Sequence, residues 1–159
     1  MLSKGSVVLS ALLLVGLAVL CYALTRQDKP MAAAIVAVAE LVLIIAALLY
    51  APTYVGLYDG ELVVYSPLRR LRIPLADIES VRVCPPTMAA RRLYGSGGFM
   101  GYWGLFSERD LGRYTARHGR ASDCFLVTLR DGRKYMLGCE DYPAMVSSIK
   151  AALPAASPA

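Results

Sequence analysis

Two apolar runs fill the first fifty residues and constrain everything that follows. From Gly5 to Leu24 no charged residue occurs, and Met31 to Ala51 carries only Glu40. Each run is about twenty residues long, and at about 1.5 Å per helical residue either covers roughly 30 Å, the thickness of a hydrocarbon core. Only TRQDKP lies between them, enough for a tight connection of antiparallel helices, with Pro30 suited to the first turn of the second. The pattern predicts a transmembrane α-hairpin, with helices at about 5–24 and 31–51 inside an anchor spanning 1–52. The rivals for the first run are a cleaved signal peptide and a lipoprotein modified at Cys21. Signal peptides usually have a shorter apolar region, of about 7 to 15 residues, behind a basic start. Here only Lys4 precedes the run, and bulky Leu20 precedes Cys21.

A hairpin leaves both of its ends on one side. Lys4, the free amine, Arg69, Arg70 and Arg72 belong to that side, and Arg26 and Lys29 to the connecting loop. The balance favours N- and C-termini in the cytoplasm. The cysteines at 21, 84, 124 and 139 form no CxxC pair or disulfide framework, which suits a reducing compartment. From Pro52 onward fourteen Lys and Arg face ten Asp and Glu, a mild excess of +4. That fits an anionic membrane surface and gives no basis for nucleic-acid binding.

The part after the anchor reads as short strands. Tyr54 to Tyr58 and Glu61 to Ser66 flank Asp59-Gly60, and CFLVTL and RKYMLG flank Asp131-Gly132, two hairpin signals. LRRLRIP and IESVRV alternate apolar with charged residues, and GRYTARH suits another strand. Cys84-Pro85-Pro86 should break the ladder, because proline donates no hydrogen bond. DYPAMVSSIKAAL has helical spacing that puts Met145, Ile149 and Leu153 on one face, and the last residues, 154–159, read as a disordered tail.

RRLYGSGGFMGYWGLF, residues 91–106, admits several readings. It lacks the lysine of a P-loop, and Met100 stands where a dinucleotide fingerprint needs its third glycine, so a phosphate cradle is disfavoured. Gly95, Gly97 and Gly98 can instead bend the chain and let Phe99, Tyr102, Leu105 and Phe106 join a core. Alternatively Phe99, Met100, Tyr102 and Trp103, beside Arg91 and Arg92, form an apolar tip with a cationic collar that meets lipid or a protein.

These elements resemble a pleckstrin-homology-like fold. GSGGFMGYWGLF, then LGRY, then CFLVTLRDGRKY is similar to the bacterial membrane-attached PH-domain proteins, over roughly 53–153 and behind a two-helix anchor. The resemblance implies a mainly-β PH-like domain at 53–153 of about seven bent antiparallel strands capped by a C-terminal helix. It also implies a bacterial inner-membrane location and a binding or scaffold module with neither catalytic residues nor a cofactor. Eukaryotic PH domains bind phosphoinositides through basic residues in the first hairpin loop, which is here the acidic, minimal Asp59-Gly60.

Three residues remain to be weighed. Glu40 lies mid-span, where an acid costs about 2.5–3.5 kcal/mol, and it shares a heptad-like face with Ala33, Ala37 and Ala47. That face reads either as a locally satisfied carboxyl or as packing against another subunit. His118 and Cys124 have no evident third catalytic partner, RHGRASD reads as a polar turn, and no zinc spacing occurs. The sequence therefore points to a non-enzymatic membrane-anchored module presenting a β-sheet surface to a protein partner or homo-oligomer. The alternative is a reader of anionic lipid headgroups, with Arg91, Arg92, Phe99, Tyr102 and Trp103 as contact candidates and no metal.

Overall fold

The computed structural model describes residues 4–84 and 90–153. Both apolar runs are helical: α1 is Lys4–Arg26 and α2 is Pro30–Tyr50. Each is long and apolar enough to cross a membrane, and almost none of either span is covered by the protein itself. Valines, leucines and isoleucines point outward along both, from Val7 to Val19 and from Ile35 to Leu48, as helices solvated by lipid require. They pack against each other along one seam, where the Cys21 thiol donates to the Ala33 carbonyl at 3.5 Å.

Among the described residues, nine strands and a closing helix follow. They are β1 Tyr54–Tyr58, β2 Glu61–Tyr65, β3 Arg70–Pro74, β4 Ile78–Val83, β5 Arg91–Gly98, β6 Gly101–Glu108, β7 Gly112–His118, β8 Cys124–Leu129, β9 Lys134–Gly138 and α3 Tyr142–Ala152. The sequence suggests about seven strands. The difference lies mainly in the glycine stretch, which forms two paired strands, β5 and β6, instead of an irregular bend. Pro85, Pro86 and the tail 154–159 lie outside the described residues.

The first three strands form an antiparallel sheet in the order β1-β2-β3, and the other six form a second sheet in the order β4-β8-β9-β7-β6-β5. Asp59 and Gly60 take φ of 47° and 77°, the double left-handed turn that suits a two-residue hairpin. Asp131-Gly132 sits in a longer turn, where the Asp131 carboxylate accepts from the Arg133 N–H at 2.9 Å. β8 is buried on both faces. Phe125, Val127 and Leu129 meet Leu62, Val64, Ile73 and α3's Val146 and Ile149 in one core. Cys124 and Leu126 meet Phe106, Tyr114 and Met136 in a second. Asp141 caps α3 by accepting from the Ala144 N–H at 3.3 Å, with Pro143 in its first turn. Tyr142, Met145 and Leu153 cover the first core from that helix.

Candidate functional site

The two sheets and the two apolar helices meet at a junction built from the β5–β6 hairpin. Gly95 and Gly104 face each other across it, with φ of 103° and 118°. A Cβ on either would run into the other strand, at the Trp103 carbonyl or the Tyr94 carbonyl respectively. Only a glycine pair permits so close an approach. The hairpin bends there enough for the Arg92 side chain to lie beside Gly97. At its tip the Phe99 carbonyl accepts from Ser96 Oγ at 2.9 Å and from the Trp103 indole at 3.1 Å.

That tip docks on the first turns of α1. Ser10 Oγ accepts from the Met100 N–H at 2.8 Å, and Ser6 Oγ accepts from the Gly101 N–H at 2.9 Å and donates to the Gly98 carbonyl. Ser10 also donates back to the Ser6 carbonyl at 2.7 Å and is 2% exposed. Spaced four apart, the two serines lie on one helix face and bond the backbone groups of the turn.

The second attachment surrounds Tyr50, the last residue of α2. Its ring stacks on Trp103 with centroids 5.5 Å apart and planes 17° apart. The guanidinium carbons of Arg69 and Arg117 lie 5.5 and 5.3 Å from the same ring's centroid. Arg69 Nη1 also reaches the Tyr50 hydroxyl at 3.4 Å, and Arg117 Nη1 donates to Ser66 Oγ at 3.3 Å. The Leu68 N–H donates to the Leu48 carbonyl at 2.9 Å, so the β2–β3 turn closes the C-terminal end of α2. Arg117 is 6% exposed. Burial, reinforced by the Arg69 charge, pulls it below its ordinary pKa.

The profile of the bacterial PH domain family matches residues 54–153, all of the chain from β1 to the end of α3. This chain belongs to that family. Domains of this kind are generally non-catalytic. No curated protein and no solved structure matches the chain.

The PH domain separates the residues that the sequence suggested as one contact patch. Trp103 is 7% exposed, and both its ring and its indole N–H are engaged inside the chain. Tyr102 is half-buried and stacks on His118 at 5.0 Å. Phe99 is half-buried at the turn, whereas the backbones of exposed Arg91 and Arg92 pair with Ser107 and Phe106, well back from the turn, with only the Arg92 side chain reaching along the hairpin to Gly97. In the anchor, Ala33 and Ala47 are buried with Glu40 half-buried between them, while Ala37 is exposed.

His118 is not in a polar turn. It ends β7 at 2% exposure, and burial pushes it down to about 4, opposed by a hydrogen bond with the Arg120 backbone. Burial likewise pushes the Cys124 thiol up to about 12, and its Sγ donates to the Arg120 carbonyl. A thiol so held is no nucleophile near neutral pH.

Ser6, Ser10, Tyr50 and Arg117 were missed by sequence reasoning, and Arg69 entered it as one of the charges flanking the anchor. The signals present were the i, i+4 serine pair in an otherwise apolar run and a tyrosine at the end of a span.

A further surface lies on the outer face of the PH domain's small sheet. Tyr54 and Tyr58 fold over Gly56, their hydroxyls 3.2 Å apart, and a Cβ at Gly56 would collide with both rings. Tyr65 joins them with centroids at 5.8 and 6.2 Å, and Arg70 lies 5.1 Å from its ring centroid. Beside them is an open cleft of about 460 Å³, lined by Tyr58, Asp59, Glu61, Val63, Tyr65 and Arg72.

Proposed function

We propose that this protein is a non-enzymatic, two-pass membrane module of the bacterial inner membrane, its termini and PH domain cytoplasmic. It presents the tyrosine face of β1–β3 to a protein partner. The observation that carries this reading is that face itself. Three clustered tyrosines with Arg70 and Arg72 at their margin, Tyr54 and Tyr58 each about half exposed, are the residue types that supply most binding energy at protein interfaces. Two attachments to the helices would hold the face at a set height and orientation above the bilayer, which lowers the entropy lost when a partner docks. Within the membrane, Ala37 and the open side of Glu40 are the surface for a partner helix.

The test is photo-crosslinking in intact membranes from a probe at Tyr58, with a second probe at Ser147 on the exposed side of α3. A protein adduct of discrete mass from position 58, absent from position 147 and lost on Tyr65→Asp, is the expected result. Lipid adducts alone, or identical protein adducts from both positions, would refute it.

The stacking of Trp103 on Tyr50 favours this reading over lipid contact through the Gly–aromatic hairpin.

A further inference from the structure

Arg117 is a buried charge that the junction leaves without a counter-ion. One nitrogen donates to Ser66 and its face lies over Tyr50, yet no carboxylate pairs with it or with Arg69 among the described residues. The ion pairs present there are Arg72–Glu61, Arg120–Asp123 and Arg133–Asp131. Burying a guanidinium without a negative partner is costly, and a second guanidinium over the same ring adds repulsion. The Tyr50 ring offsets part of that cost but brings no net charge.

The position of the cluster says what can supply the missing charge. Tyr50 closes an apolar helix, and beside it Leu68 leaves 66% of its surface exposed on the turn that covers the helix end. An aromatic–arginine belt at the end of a span lies at the level of the lipid headgroups.

We propose that Arg69 and Arg117, held over Tyr50, bind the phosphate of an anionic membrane phospholipid at the rim of the anchor. Arg69 is exposed and forms the entrance, and Arg117 supplies a second guanidinium fork oriented by Ser66. The acyl chains lie along the outward Ile45 and Leu48 of α2. This site is separate from Arg91 and Arg92 and rests on the membrane-anchored reading above. A soluble phosphate ester offers the same oxygens without the chains, so the experiment must separate the two.

Trp103 is the sole tryptophan and stacks on Tyr50, which makes it a reporter inside the site. Its emission is followed in the full-length protein, in a phosphate-free maltoside micelle, as phosphatidylglycerol or glycerol phosphate is added. Phosphatidylglycerol should give a saturable change, about tenfold weaker in Arg69→Gln. Arg82→Gln, at an exposed position of β4, should match the parent, and Arg69→Lys should recover part of the loss. Emission before lipid addition checks that each variant is folded. Equal losses in Arg69→Gln and Arg82→Gln, or a response that never saturates, would overturn the site. Saturation by glycerol phosphate at the same concentration would overturn the lipid and leave a soluble anion. The anchor reading is scored separately by alkaline extraction of membranes. Protein that stays in the pellet yet binds no phosphatidylglycerol defeats this site alone.

Discussion

Replacing Ser10 by alanine deletes one oxygen from α1 and strands a backbone N–H at the hairpin tip. Met100 N donates to that oxygen at 2.8 Å, and Ser10 is 2% exposed, so water has little room to take its place. The hydroxyl's own bond to the Ser6 carbonyl also goes, but that carbonyl belongs to a helix and loses only a secondary donor. Leaving a buried donor unsatisfied costs about 1–3 kcal/mol. If the tip detaches from α1 as a unit, detachment becomes easier by that amount. At 1.36 kcal/mol per tenfold, the Met100 amide should then exchange with solvent about 5- to 150-fold faster. The assay is hydrogen exchange with mass spectrometry on the peptide covering residues 96–101 of the full-length protein in micelles. Ser147→Ala serves as the control, since its hydroxyl bonds the Pro143 carbonyl on the exposed side of α3 and should leave the tip unchanged. Unchanged exchange in Ser10→Ala, with Trp103 emission still native, would refute the idea that α1 holds the hairpin.

Gly104→Ala should destabilise the hairpin by about 2–4 kcal/mol, combining a left-handed backbone with a collision against the Tyr94 carbonyl. Gly98→Ala meets open space and should cost only the backbone part, about 1–2 kcal/mol, so the difference in thermal midpoint between the two isolates the close approach. His118 makes stability depend on pH. Its folded pKa of about 4 lies below the ordinary 6.5, so between those values the unfolded chain binds a proton that the folded chain does not. Stability should therefore be flat above about 6.5 and fall by up to about 3 kcal/mol as the pH drops toward 4. Denaturant midpoints across that range should show the slope, and His118→Phe should flatten it.

Much of this architecture is legible in the sequence because it rests on local rules. Twenty apolar residues in a row, Asp-Gly between β-rich runs, and Asp-Tyr-Pro before a helical pattern each act within a few neighbours. The glycine stretch shows where such rules stop. Its many glycines permit a bend, and a bend is present, but the pairing of Gly95 with Gly104 depends on register across two strands. Nothing in either strand alone specifies that register.

The end of β7 makes the same point for the candidate site. Ala116, Arg117 and His118 are consecutive, and all are buried, so the alternation that marks a half-exposed strand fails there. It fails because both faces are covered from far away in the chain. His118 meets Tyr102 on the neighbouring strand, while Arg117 meets Tyr50 from the second apolar helix and Ser66 from the first sheet's turn. Read from its own segment, an arginine between alanine and histidine belongs to the end of a half-exposed strand or to the polar turn after it. Only when the anchor is folded against the PH domain does it become a buried cation at the end of an apolar helix. Arg117 therefore gains its environment from the joining of the two parts, and chemistry that uses it is chemistry of the whole chain, helices included. A fragment beginning at residue 52 would lack Tyr50, Ser6 and Ser10, and with them both attachments and the ring beneath the two arginines.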